Sequence, residues 1–171
     1  VDAFGSSFGG GGVVIIDGTP TEPAGYFINC RAGIRFNPYY PASPVANASI
    51  LRGIRFEQND QNFEGDPIIP GFEGSCIEIE HNTPLKVEGC TCSNIQGNIT
   101  DSYLLGHGIK VIDSKVDIVP FCPNGPPGQQ GPNTFTGFDH GVEVLATAGN
   151  ARVNISGNTF TNNICGVYTN G

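Results

Sequence analysis

The most regular feature of the chain is a short alternation of apolar and polar positions that begins at a glycine. Units that read Gly-apolar-x-apolar begin at Gly33, Gly53, Gly108, Gly141 and Gly166. A related unit begins with cysteine instead of glycine, at Cys76. Alternation with a period of two is typical of a β-strand with one buried face. Each unit therefore predicts a strand of about three to five residues.

A second pattern precedes these units and recurs with them. The segments Asn133 to Thr136 and Asn158 to Thr161 both read Asn-Thr-Phe-Thr. In each case the phenylalanine stands six positions before the glycine of the following unit, and Phe27 has the same spacing to Gly33. Such a fixed interval indicates a structural repeat.

A third pattern aligns without gaps in three places. It reads apolar-x-Gly-x, then threonine or arginine, then phenylalanine or cysteine, at 51–56, 87–92 and 155–160. Short strands of this kind cannot form a stable sheet alone, but stacked coils can bury their inward side chains against one another. The pattern predicts an all-β fold, a right-handed parallel β-helix of about seven coils, as a single domain over 1–171.

Two inward ladders follow from the repeats. The aromatic ladder is expected to contain Phe27, Phe135 and Phe160, with Cys92 in an equivalent slot. The aliphatic ladder is expected to contain Ile34, Ile77, Ile109, Val142 and Val167. Asparagine suits the bends because it tolerates left-handed backbone angles and can hydrogen-bond along the stack. The bend candidates are Asn94, Asn133, Asn158, Asn162 and Asn163.

Three segments interrupt the repeats and predict loops that protrude from the coils. They are 36–48 and 120–132, which are rich in proline, and 58–74, which is acidic. The acidic segment could supply oxygen ligands to calcium, although it lacks the established calcium-loop patterns. We expect no other cofactor.

Charge and composition narrow the function. Charged residues make up 14% of the chain and the net charge is −8. An acidic surface argues against nucleic acid and anionic lipid as partners, and no apolar run is long enough to insert into a membrane.

The six cysteines favour an oxidising, extracellular or cell-surface setting. They are disulfide candidates, with buried free thiols as the alternative, and their connectivity is open. The candidates are Cys30, Cys76, Cys90, Cys92, Cys122 and Cys165.

Two histidines occupy equivalent positions in different coils. His107 and His140 each precede the glycine of a repeat unit, so they could form a metal or acid–base pair. A repeated surface position that tolerates histidine explains the same pattern. We therefore assign no metal ligand and no catalytic residue from the sequence.

A carbohydrate site is the remaining chemical hypothesis. Arg35 and Arg55 hold the same position in two similar units, so we expect them to occupy equivalent outward places in two coils, next to Glu57. A base beside a cation is what a polysaccharide lyase needs. Tyr39 and Tyr40 are candidates for stacking against sugar rings.

The run RVNISGNTFTNNICGVYTNG resembles the coils of right-handed parallel β-helix proteins, a group that includes pectate lyases and many adhesins. The longer order of motifs over residues 10–171 resembles the large surface-exported β-helix proteins of Bacteroidota, which usually end in a type IX secretion sorting domain. This resemblance transfers no catalytic residue.

We expect a secreted structural or adhesive surface element that is not an enzyme. The uncapped repeats at both ends suggest a segment of a longer chain or a subunit that stacks end to end into a fibre. The partners would be other copies or neighbouring coils, and surface glycans. The alternative function is a polysaccharide lyase, a glycoside hydrolase or a passive glycan-binding module.

Overall fold

The computed structural model describes ten segments of the chain: residues 2–3, 14–19, 23–28, 32–36, 49–58, 74–81, 84–94, 105–121, 131–147 and 151–171. Within these segments the protein is all-β, with sixteen short strands that pair in parallel in three sheets. The chain visits the sheets in turn, so each circuit adds one strand to each. This arrangement confirms the predicted parallel β-helix.

Sheet A contains six strands: β1 (Asp2–Ala3), β4 (Ala32–Phe36), β7 (Ser75–Glu80), β10 (His107–Ile112), β13 (His140–Leu145) and β16 (Cys165–Asn170). Sheet B contains five: β2 (Ile15–Ile16), β5 (Ser49–Arg52), β8 (Leu85–Glu88), β11 (Lys115–Val119) and β14 (Arg152–Ile155). Sheet C contains five: β3 (Gly25–Ile28), β6 (Ile54–Gln58), β9 (Thr91–Asn94), β12 (Thr134–Thr136) and β15 (Thr159–Thr161).

The stack has about five coils, so the expected seven was too many. Asn133 and Asn158 hold equivalent places 25 residues apart, but Cys90 and Asn133, one coil earlier, are separated by 43. Inserted segments lengthen the coils, and the three predicted loops (36–48, 58–74 and 120–132) fall largely outside the described residues.

The interior consists of ladders in which equivalent side chains of successive coils lie in register. Sheet A contributes the five residues of the expected aliphatic ladder, paired in order: Ile34, Ile77, Ile109, Val142 and Val167. Sheet C contributes the aromatic ladder, which consists of Phe27, Phe56, Cys92, Phe135 and Phe160. The sequence analysis did not place Phe56 in this ladder. Sheet B contributes Ile16, Leu51, Val87, Ile118 and Ile155.

Glycines in sheet A make room for the rings of sheet C. A Cβ atom added at Gly33 or Gly108 would lie 2.6 Å from the ring of Phe56 or Phe135, and one at Gly141 would lie 2.5 Å from Phe160. The absence of a side chain therefore lets each ring fill the interior.

The bends between sheets B and C explain the ungapped sequence alignment. The aligned glycines, Gly53, Gly89 and Gly157, have φ angles of 58°, 60° and 61°. These are left-handed conformations, which glycine adopts without steric cost. The three similar hexapeptides therefore encode the same turn with a strand on each side.

Asparagine side chains tie the coils together beside these bends. Asn133 is fully buried; its Oδ1 accepts a hydrogen bond from the Cys90 amide (2.8 Å), and its Nδ2 donates to Asn158 Oδ1 (2.8 Å) and to the Val119 carbonyl (2.9 Å). Asn158 Nδ2 donates in turn to the Ile118 carbonyl (2.9 Å). Apart from the bond to Val119, which lies in the same coil, these bonds run along the stack, as expected for the bend asparagines.

Candidate functional site: the outer face of sheet A

Charges of opposite sign alternate along the outer face of sheet A. The register places Arg35, Glu78, Lys110, Glu143 and Tyr168 side by side on successive strands. Arg35 forms an ion pair with Glu78 at 2.7 Å, and Lys110 forms one with Glu143 at 3.2 Å. Since the coils are in register, like charges never lie on adjacent strands of this row.

A second row on sheet A contains the two histidines. Ser75, His107, His140 and Cys165 pair in that order on successive strands. The rings of His107 and His140 are stacked, with centroids 5.3 Å apart and planes inclined by 8°. The ring of Tyr168 continues the stack on His140, at 4.6 Å. The equivalence of the two histidines, inferred from their position before glycine, therefore brings their rings into contact.

The glycine positions bring the two rows together. Residues three apart in a regular strand point to opposite faces. In β13, however, a side chain at Gly141 would point toward the core ring of Phe160, and the next residue, Val142, is also fully buried. Two consecutive inward positions reverse the alternation locally, as in a β-bulge. His140 and Glu143 consequently lie on the same side of the sheet.

The result is a compact group of one carboxylate and two imidazoles. His107 Nε2 lies 3.5 Å from Glu143 Oε2, and one ligand atom from each of His107, His140 and Glu143 lies within 4.8 Å of the others. His107 is 1% exposed and Glu143 is 8% exposed. The sequence analysis did not connect Glu143 or Lys110 with the histidines, because strict alternation places them on the opposite face of the sheet.

The described residues proposed for carbohydrate binding lie on two different sheets. Arg35 lies on sheet A and Arg55 on sheet C, so their equivalence was wrong. The two Gly-Ile-Arg-Phe units look alike because every sheet uses the same alternation. Arg55 forms an ion pair with Glu57 at 2.8 Å. Tyr39 and Tyr40 lie outside the described residues.

The described cysteines are free thiols. Those in the core are therefore buried thiols, the second of the two alternatives given by the sequence, and do not form disulfides. They are Cys76, Cys90 and Cys92, and the fourth free thiol, Cys165, lies on the last coil. Cys30 and Cys122 fall outside the described residues.

Two of the core thiols have perturbed acidity. Burial raises the pKa of Cys90 from 9.0 to about 12, and the neighbouring Cys92 raises it further. Burial also raises the pKa of Cys92, with a further contribution from its hydrogen bond to Cys76. These thiols are therefore protonated and poorly nucleophilic near neutral pH.

The calcium hypothesis concerned the acidic residues of the 58–74 segment together with the adjoining Glu57, and of these only Glu57 is among the described residues. The other acidic residues (Asp60, Glu64, Asp66 and Glu73) lie outside them. Within the described residues, no helix has the length and apolar character needed to cross a membrane.

Comparisons of the chain with protein-family models, with curated proteins and with solved structures find no match. The resemblance to surface-exported proteins of Bacteroidota therefore stays a prediction from the sequence.

Proposed function

We propose that this protein is a structural module of an extracellular surface and that it assembles end to end, coil upon coil. One observation carries the proposal: the first and last coils continue the interior ladders, but their inward side chains are only partly buried. The extracellular setting rests on the resemblance described above, because the described cysteines are free thiols and do not support the argument from disulfides.

The last coil presents an apolar surface. Its inward residues Val153, Ile155 and Phe160 are half-buried, and Val167 is 39% exposed. Strands β14, β15 and β16 each pair with one described neighbour only. An open strand edge with apolar side chains beside it is a template for another strand.

The first coil offers the matching surface. Ile16 and Phe27 pack against the core from that end and are also only partly buried. A second copy placed head to tail would set its Ile16 beside Ile155 and its Phe27 beside Phe160, which continues both ladders. Because this contact uses different surfaces on the two copies and continues the coils along one axis, it generates an open filament and not a closed ring.

The state of three of the described arginines, among them the two proposed for a lyase site, supports a structural role over a lyase. Arg35, Arg52 and Arg55 each form an ion pair with a carboxylate of the same chain. A lyase needs a cation that is available to neutralise a substrate carboxylate, and these guanidinium groups are already engaged.

Negative-stain electron microscopy, combined with light scattering to measure mass in solution, tests the proposal. We expect filaments with an axial repeat of about 24 Å, which is five coils at the roughly 4.8 Å strand spacing. A dispersed particle of 18.0 kDa at micromolar concentration would contradict end-to-end assembly.

A matched pair of variants on one strand sharpens the test. Phe160→Lys places a charge on the inward side of β15 and should abolish filaments. Thr161→Lys places the same charge on the exposed side of that strand and should leave them intact. Equal effects of the two variants would show that assembly does not use the open end of the coil.

A further inference from the structure

We propose that His107, His140 and Glu143 form a binding site for a divalent transition-metal ion of the zinc type. The Lys110 ammonium would compete with this ion for the Glu143 carboxylate. The donor set, its geometry and its burial point to this chemistry, which is independent of the end-to-end assembly.

The donor atoms suit zinc in kind. Imidazole nitrogen and carboxylate oxygen are common zinc ligands, whereas calcium and magnesium prefer oxygen alone. Two histidines and one glutamate supply three protein ligands. In a tetrahedral site this leaves the fourth position to water or to a donor atom from another molecule.

The donor atoms also suit zinc in position. Bond lengths of about 2.0–2.1 Å place tetrahedral ligand atoms about 3.4 Å apart. The distance from His107 Nε2 to Glu143 Oε2 is already 3.5 Å, and the largest separation in the group is no more than 4.8 Å. Metal binding would require a small movement of the His140 side chain, which is only half-buried, within its stack between His107 and Tyr168.

One oxygen of the Glu143 carboxylate is buried without a hydrogen bond from the described residues. This atom is Oε2, and Lys110 Nζ lies 3.2 Å from it. The ammonium thus supplies charge without an aligned hydrogen bond. A buried carboxylate oxygen in this condition costs free energy, and binding of a cation would recover it.

Substitution of Lys110 distinguishes a metal site from a cluster that only stabilises the fold. The ammonium and the metal ion compete for the same oxygen, so removal of the positive charge should strengthen metal binding. A role for the cluster in stability alone predicts no such gain, because loss of Lys110 would then leave Glu143 without its counter-ion.

Isothermal titration calorimetry with zinc chloride, on protein free of any affinity tag, tests the site. We expect one ion per chain, affinity at least tenfold lower in His140→Ala and Glu143→Gln, and affinity several-fold higher in Lys110→Gln. Magnesium chloride should give no binding at the same concentrations. Urea unfolding of each variant verifies that it is folded.

Two variants serve as controls. Cys165→Ala removes the next side chain in the histidine row, whose Sγ lies 3.2 Å from the Val167 carbonyl. His81→Asn removes a histidine that lies 3.9 Å from Asp113 but belongs to no such group among the described residues. Both should bind zinc as the unmodified protein does. Absence of zinc binding by the unmodified protein, or unchanged affinity in a folded His140→Ala, would overturn the proposal.

Discussion

The coil that contains β12 and β13 and the last coil, which contains β15 and β16, are built from nearly the same residues. Both carry Asn-Thr-Phe-Thr followed by Gly-Val. Phe135 and Val142 are nevertheless fully buried, whereas Phe160 is half-buried and Val167 is 39% exposed. The same side chains differ because a further coil covers one set and none of the described residues covers the other. In this fold, burial depends on the neighbouring coil as much as on a coil's own sequence.

The largest expected effect compares the two phenylalanines. Phe135→Ala should lower the free energy of unfolding by about 3–5 kcal/mol, because it leaves a cavity in a filled interior. Phe160→Ala should cost roughly half of that or less. Urea denaturation at low protein concentration measures both. Equal losses would mean that the last coil is covered in solution and that the two coils are equivalent there.

The next effect concerns a core thiol. Cys90 ionises near pH 9.0 in the unfolded chain and near pH 12 in the folded protein, so its contribution to stability is complete below pH 9 and is lost as the pH rises above it. By pH 11 the loss should reach about 3 kcal/mol, at 1.36 kcal/mol per pKa unit. Urea denaturation at pH 8 and 11 should show this loss in the unmodified protein and in Cys165→Ala, and a smaller one in Cys90→Ala. Identical pH dependence in all three would rule out this role for Cys90.

A third comparison uses glycines from one row of sheet A. A methyl group at Gly108 would lie 2.6 Å from the Phe135 ring and would also collide with the Gly141 carbonyl oxygen. At Gly166 the nearest atom would be 3.4 Å away, an ordinary contact. Gly108→Ala should therefore cost about 2–3 kcal/mol and Gly166→Ala less than about 0.5 kcal/mol. Thermal unfolding followed by circular dichroism distinguishes them, and a similar cost at both positions would mean that the last coil is packed as tightly as the interior.

The smallest expected effect compares two asparagines. Asn133→Ala leaves the buried Cys90 amide without its acceptor and should cost about 1–2 kcal/mol. Asn158, closer to the open end, is only half-buried, so water can replace the hydrogen bond from its Nδ2 to the Ile118 carbonyl. Chemical denaturation of both alanine variants provides the measurement. A larger loss at Asn158 would reverse the proposed order of interior and end.

The fold followed from the sequence wherever local and long-range signals coincide. Alternation marked the strands, and the interval from phenylalanine to glycine placed Phe135 and Phe160 in one ladder. The number of coils did not follow, because an insertion lengthens a coil without changing its repeat motif. The false equivalence of Arg35 and Arg55 has a related cause, since one short motif serves two different sheets.

The candidate site could be predicted only in part. The shared position before glycine was enough to bring His107 and His140 together. Glu143 was missed because period-two alternation holds only where the backbone is regular. The signal was present in the sequence, since Gly141 and Val142 occupy consecutive places that both had to face the interior.

The fit between sheet A and sheet C also constrains how such a protein can change by mutation. Where three coils pair a glycine with a phenylalanine, the remaining interior pair is Cys76 with Cys92, two side chains of intermediate size that hydrogen-bond to each other. Neither position can be converted alone: phenylalanine opposite Cys76 would collide with it, and glycine opposite Cys92 would leave a void. The two positions must therefore change together. A coil duplicated from elsewhere in the chain would fit here only if it supplied both the glycine and the phenylalanine.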